Sequence, residues 1–188
     1  MRKLFVLVLF FKLILISNLL AQYDVEGNGK DYGIAINPVG ALFSWYSLEY
    51  NIWKADRTGE INIPFQLLHN PFDTENDDHD LTIFSIGAQY RKFFSSEQQG
   101  FFVQAGFIHY NFSVDGKGEY RGESAGGSVN SVLFGFGYRM ISKTNGLFWS
   151  AALSAGKGWG SVDSPNGEDV SNSGFTYDID LLKIGYAW

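Results

Sequence analysis

The 188 residues contain no cysteine, so neither a disulfide framework nor a thiolate metal site is available. Charge is sparse: Asp, Glu, Lys and Arg together make up 18% of the chain. So little charge, alongside 22 glycines, argues against a helical bundle and against a disordered, charge-extended chain. Basic residues are few and scattered. Beyond residue 22 the chain holds eleven of them against twenty acids, a net charge of −9. No basic patch exists, which excludes nucleic acid as the expected partner. Long apolar runs are missing after residue 20 as well, so no second stretch could cross a membrane as a helix. Aromatic residues, by contrast, reach 17%.

The N-terminus is the exception to this composition. Met1, Arg2 and Lys3 form a positive start, and Leu4 to Leu20 is apolar apart from Lys12. Ser17 and Asn18 precede Leu19, Leu20 and Ala21, and a polar stretch begins at Gln22. This pattern reads as a secretory signal peptide over residues 1–21, with one domain over 22–188. Leu19, three positions before the cut, is larger than the small residue usual there. A retained membrane helix is the competing reading, but seventeen residues broken by a lysine fall short of the roughly 20 that a span requires. An exported chain made of alternating segments can enter a membrane only as a closed barrel, because every backbone group must be paired inside the bilayer.

Period-two alternation runs through the rest of the chain. Strands are expected at Tyr32–Ala41, Tyr46–Lys54, Glu60–Leu68, Leu81–Phe94, Gly100–Val114, Ser128–Ile141, Gly146–Gly160 and Phe175–Trp188. Pro38 cannot donate to a ladder and marks an end or a bulge in the first. Residues 100–114 are apolar on both faces, and the pattern does not orient them. The other strands carry bulky residues on one face, such as Val132, Phe134, Phe136, Tyr138 and Met140. Small or polar residues lie on the opposite face, such as Ser150, Ala152, Ser154, Gly156 and Gly158. In the last strand Leu182, Ile184, Tyr186 and Trp188 share one face, and Leu181, Lys183, Gly185 and Ala187 the other.

Connection lengths after the first hairpin alternate: short at 55–58, long at 69–80, short at 95–99, long at 115–127, short at 142–145, long at 161–173. Membrane barrels have short periplasmic turns and longer extracellular loops. The expected fold is therefore all-β, an eight-stranded antiparallel up-and-down transmembrane β-barrel with both termini periplasmic. A soluble lipocalin-type barrel also has eight strands but turns its apolar face inward. An eight-stranded interior is narrow and favours small residues, whereas lipid accepts bulky ones, so the bulky face is read as outward.

With strands and topology placed, the chain resembles the small bacterial outer-membrane barrels of the OmpA transmembrane domain, OmpX and OmpW type. The likeness covers residues 22–188 but is mostly one of pattern, with local weight from YSLEYNIW (46–53) and VLFGFGYRM (132–140). The face of Leu182, Ile184, Tyr186 and Trp188 resembles the closing-strand signal of that family, although the family usually ends in Phe. The resemblance implies a Gram-negative outer membrane location, lipid and lipopolysaccharide as surroundings, and the barrel-assembly machinery as a partner. Members are variously structural, adhesive or permeable to small solutes, so it does not set an activity.

The face read as inward carries Glu49, Glu60, Arg91, Arg139 and Lys183, all toward the periplasmic strand ends. Unpaired charges there would be costly, so a mutually paired network is expected, with a solute gate as the functional alternative. Asp73, Glu75, Asp77, Asp78 and Asp80 crowd the first long loop. Such carboxylates are weak candidates for calcium, since the glycine at position six and the distal glutamate of an EF-hand loop are lacking. A solvated acidic mouth, joined by Asp163, Glu168 and Asp169, is the simpler reading. His69, His79 and His109 lack metal spacing. His109 and Ser113 share a strand face, but no acid completes an acyl-transfer set. The function expected is therefore non-enzymatic, structural or small-solute binding, with no cofactor. A lipid-modifying barrel enzyme and an adhesin acting through the long loops are the alternatives.

Overall fold

The computed structural model describes residues 30–70, 78–95, 97–118, 121–142, 144–163 and 169–188. The signal-peptide reading, residues Asp73, Glu75 and Asp77 of the acidic loop, and Glu168 lie outside the described residues.

Eight strands form a single antiparallel sheet that closes on itself. They are β1 (Tyr32–Ile36), β2 (Trp45–Trp53), β3 (Gly59–His69), β4 (His79–Phe93), β5 (Gly100–Gly116), β6 (Ser124–Ile141), β7 (Leu147–Asp163) and β8 (Asp169–Ala187). Each pairs with its neighbours in sequence, and β8 pairs with β1 through Ala35–Gly185 and Gly33–Ala187. The main-chain nitrogens of Tyr32 and Trp188 donate to each other's carbonyls at 3.1 and 2.9 Å, which completes the seam. Following the pairing outward from Gly33 leads through Asn51, Asn62, Gln89, Gly106, Leu133 and Gly156 to Thr176. Gly33 itself pairs with Ala187, so the ladder returns to β8 displaced along the strand. That displacement is the shear that tilts the strands of a closed sheet.

The first strand is shorter than the sequence suggests. It stops at Ile36, and Pro38–Ala41 form a single helical turn, α1. Proline at the first helical position has no N–H to lose, and the Asn37 side chain accepts from the Gly40 amide at 2.8 Å. Two loops are also shorter than expected, because β5 to β8 run on into them to lengths of 17, 18, 17 and 19 residues. The short turns are tight. Lys54 and Gly59 close the β2–β3 turn, where the Thr58 amide donates to Asp56 at 3.0 Å and holds that carboxyl below its usual range. In the β6–β7 turn Gly146 takes φ 71°, a backbone conformation that glycine adopts without a Cβ penalty.

Burial alternates as a closed sheet requires. On β2, Ser47, Glu49, Asn51 and Trp53 are buried inside, and Tyr46 and Leu48 are exposed outside. β5, which the pattern left unoriented, turns Phe102, Gln104 and Ile108 inward and Phe101, Val103 and Phe107 outward. The outer surface carries a continuous apolar belt at the end of the ring with the short turns. On β5 the belt runs from Phe101 to Phe107 and gives way to His109, Asn111 and Ser113. On β6 it runs from Met140 to Val132 and gives way to Asn130 and Ser128. Aromatic contacts rim the belt: Tyr32 stacks on Tyr50 at 6.2 Å, Tyr186 on Trp188 at 6.3 Å, and Phe101 meets Tyr138 edge-on at 4.9 Å. Among the described residues no helix is long and apolar enough to cross a membrane, which says nothing of strands.

Period two breaks once, in β8. The register with β7 passes from Ser150–Lys183 to Ala152–Asp180, so Leu181 and Leu182 together face Ala151. This β-bulge corrects the expected face of Leu181. The side chain points outward and is 71% exposed, while Asp178 and Asp180 turn into the ring beside Lys183.

Candidate functional site: a charged interior over an aromatic floor

All five residues expected inside are there, and all are buried: Glu49, Glu60 and Arg139 at 0% exposure, Arg91 and Lys183 at 1%. They form one connected network. Arg91 reaches two acids at once, donating from Nη2 to Glu49 Oε1 at 2.9 Å and from Nη1 to Glu60 Oε1 at 3.0 Å. Arg139 holds Glu60 from the other side, with Nη2 to Oε1 at 2.9 Å and Nη1 on Oε2. Lys183 bridges Glu49 and Asp180, the latter at 2.7 Å. The Arg91 Nε donates to Gln104 Oε1 at 2.8 Å, and Gln104 Nε2 donates to Ser154 Oγ at 2.6 Å. Seven strands therefore contribute to the network, all but β1.

Charge this deeply buried needs this many partners. Removing one member of a buried pair leaves an uncompensated charge, at about 3–5 kcal/mol. Bidentate guanidinium–carboxylate geometry supplies the direction as well as the charge.

Aromatic rings form the floor beneath the charges at the short-turn end. Trp53 and Phe148 meet edge-on at 6.1 Å, and Phe93 and Phe102 lie 5.1 Å apart. The Arg139 guanidinium carbon lies 4.7 Å from the Phe148 ring centroid, 5.1 Å from Phe93 and 5.6 Å from Trp53. Such contacts add to the pairing of a desolvated cation. Glycine makes the floor possible: a Cβ on Gly137 would sit 2.3 Å from Phe102 Cζ, and one on Gly185 would sit 2.3 Å from Phe148 Cζ. Phe102 thus lies over Gly137 of β6, and Gln104 reaches Ser154 on the small-residue face of β7.

Toward the long-loop end the interior is polar but less connected. Ser85 Oγ donates to Gln66 Oε1 there at 3.3 Å, whereas the Asn62 Nδ2 to Asn51 Oδ1 bond at 2.9 Å lies within the charged section, since on β2 Asn51 sits between Glu49 and Trp53. The Ser131, Thr176 and Asp180 oxygens Oγ, Oγ1 and Oδ1 have no hydrogen-bond partner in the structure. A cleft of about 220 Å³ opens at the upper ends of β6, β7 and β8, lined by Val129, Gly158, Gly160, Gly174 and Thr176 among others.

Sequence reasoning missed Asp178 and Asp180. The signal was present: counting period two back from Trp188 would have set two carboxylates on the apolar outer face. That conflict is itself the mark of a bulge.

The acidic loop enters the structure only at its base. Asp80 pairs with Lys117 at 2.6 Å and accepts from Asn70, and the Asp78 carbonyl accepts from the Lys117 amide at 2.6 Å. Asp80 is thus engaged in tying two loop bases together. His69 meets Thr82 at 3.0 Å; His109 faces outward, with Nδ1 2.8 Å from Asn130 Oδ1. Asp163, exposed, ends β7. Among the described residues no group of three or more His, Cys, Asp or Glu is placed to hold a metal ion.

No family model, characterised protein or solved structure matches the chain.

Proposed function

We propose that the chain is a non-enzymatic transmembrane β-barrel of a bacterial outer membrane, structural in role, with its short turns and both termini on the periplasmic side. The observation that supports this best is the inversion of its two faces. A soluble eight-stranded ring buries apolar side chains inside and shows polar ones to water. Here the buried side chains include four cations and four carboxylates, while Phe134, Phe136, Phe175, Tyr177 and Leu181 are each more than 60% exposed on the outside. An apolar surface of this extent needs a partner, and one that encircles the ring fits a lipid bilayer rather than a protein.

The dimensions agree. A tilted strand crosses the bilayer in about 9–11 residues, and the outward apolar runs Phe101–Phe107 and Val132–Met140 approach that length. The strand portions beyond them carry polar outward residues and would project past the bilayer surface. Outer-membrane lipid and lipopolysaccharide would then surround the belt, and the barrel-assembly machinery would act on the chain before closure.

Between the structural and solute-permeation readings, the charged layer and its aromatic floor favour the structural one, because together they fill the section at the short-turn end. The enzyme reading gains nothing from His109, whose ring bonds an amide on the outer face rather than a carboxylate beside a nucleophile.

The test is cell fractionation of the tagged full chain with gel migration before and after boiling. Outer-membrane recovery with faster unheated migration is expected. Recovery as a soluble periplasmic protein would overturn the proposal.

A further inference from the structure

We infer, resting on the transmembrane reading proposed above, that the outer surface over β7 holds one phosphate-bearing anionic lipid, with its phosphate paired to Lys157 and an acyl chain lying between β6 and β8.

Lys157 is a cation in an apolar setting. It points outward on β7, exposed, with Ala155 and Trp159 as its outward neighbours on the same strand. Directly across from it lie Val132 of β6 and Phe175 of β8, both outward as well. Cross-strand partners share a face, so four apolar side chains surround one ammonium group. Other lysines have partners: Lys54 lies 5.3 Å from the Tyr90 ring centroid, Lys92 donates to Thr58, Lys117 pairs with Asp80, and Lys183 with Glu49 and Asp180. Among the described residues no hydrogen bond or ion pair reaches Lys157. A charge on the lipid face of a barrel is costly unless it reaches polar surroundings or a counter-charge.

The height of Lys157 sets what that counter-charge is. The next outward row toward the long loops is Asn130, Trp159 and Ser173, where the polar extension of the strands begins. A lysine stem can lie along apolar surface and lift its ammonium to that level. Lipid headgroups of the long-loop leaflet would lie there, and an anionic one presents a phosphate to a basic side chain.

The surface on the short-turn side of Lys157 is shaped for a chain. Ala155 lies between Phe134 and Tyr177, which are 64% and 69% exposed. Leu153 lies between Phe136 and Ile179, and Ala151 between Tyr138 and the outward Leu181 of the bulge. Side chains of β6 and β8 thus stand as two walls with β7 as the lower floor. From Lys157 to Ala151 the strand runs about 20 Å at roughly 3.3 Å per residue. Tilted by about 40°, that length spans about 15 Å, half of a hydrocarbon core of about 30 Å. The groove therefore fits a chain from one leaflet. A second copy of the protein fits less well. Among the described residues the outward belt carries no carboxylate, so a copy packed over β7 would leave Lys157 unpaired in a dry contact.

The experiment folds the full chain into vesicles of dimyristoyl phosphatidylcholine and dimyristoyl phosphatidylglycerol in equal amounts. Native mass spectrometry after transfer to detergent then reads the lipid retained. The acyl chains are identical, so only headgroup charge differs. The parent should retain one phosphatidylglycerol per chain, several-fold over phosphatidylcholine. Lys157→Gln should fold at least as well in phosphatidylcholine alone, since it removes a charge from the lipid face, and should lose the preference. Lys157→Arg should keep it. Ala155→Phe, which fills the floor and leaves the charge, should lower retention several-fold, and Lys54→Gln at the short-turn end should leave it unchanged. Equal retention of the two lipids by the parent, an undiminished preference in Lys157→Gln, or a second copy retained in place of lipid would each overturn the inference. Folding into vesicles without any lipid preference would overturn it alone; failure to enter vesicles would overturn the transmembrane reading with it.

Discussion

Arg139 grips Glu60 with both terminal guanidinium nitrogens while its own plane is packed over Phe148, whose centroid is 4.7 Å from the guanidinium carbon. Glu49 and Glu60 are not equivalent partners for it. Glu49 is held by Arg91 and Lys183, and only Glu60 is shared between the two arginines. Arg139→Met should therefore cost about 3–5 kcal/mol, the typical effect of stranding a buried charge. Adding Glu60→Gln should recover part of the loss but not all, because Arg91 then loses one of its two carboxylates. Denaturant unfolding of the singles and the double in detergent checks this. Losses that simply add would show that the two side chains do not share one environment.

The aromatic floor makes a second prediction. Gly185 lies under the Phe148 ring, where a Cβ would come within 2.3 Å of Cζ and 2.5 Å of the Ile34 carbonyl. Gly185→Val should destabilise the folded ring by about 1–3 kcal/mol through overpacking. Phe148→Leu in the same chain should return part of that loss, since it removes the ring but leaves the backbone contact. No change in unfolding for Gly185→Val would mean that the floor is loosely packed.

The expected alternation of connection lengths ends at 164–168, no longer than the turn at 54–58, because β7 and β8 run on into it; the strand count and the five charges of the interior were readable from period two. Each rests on a local pattern that the closed sheet leaves undisturbed: Ser47, Glu49, Asn51 and Trp53 alternate with Tyr46, Leu48, Tyr50 and Ile52 wherever β2 pairs. What was not legible depended on pairing across strands. β5 has Phe102 and Ile108 inside and Phe101, Val103 and Phe107 outside, so hydrophobicity alone gives no face. Only its registers with Arg91 and Gly135 set Gln104 inward. Asp178 and Asp180 were hidden for a related reason: one extra residue at Leu181 exchanges the faces of everything before it. β1 was overextended because α1 begins with Pro38 and Val39, an apolar pair that continues the strand pattern without continuing the strand.

The bulge supplies a third prediction. Strict alternation would put Leu181 inside, next to Lys183 and the interior acids, where an added cation would find partners. The structure puts it outside within the apolar run from Phe175 to Tyr186. In a bilayer Leu181→Lys should cost about 2–4 kcal/mol if it lies near the midplane. The yield of heat-modifiable protein after folding into lipid vesicles is the measure. A yield equal to that of the parent would argue that Leu181 faces the interior charges.

The outer surface allows the bilayer itself to be tested with one strand. Phe134 and Ser128 both point outward on β6, but Phe134 is 64% exposed within the apolar belt and Ser128 belongs to the polar extension beyond it. Arginine at each position changes neither the interior nor the register, so any difference comes from what surrounds the ring. In lipid the cost of a charge depends on depth, at about 2–4 kcal/mol for arginine at the midplane and about 0–1 near the interface. Phe134→Arg should therefore sharply reduce folding into vesicles, and Ser128→Arg should leave it nearly unchanged. A ring that works in water would show the reverse ordering of effects, because replacing an exposed phenylalanine by arginine removes apolar surface from solvent and should raise solubility. Equal folding of both variants in vesicles, with better solubility for Phe134→Arg without detergent, would place the belt in water and end the outer-membrane proposal.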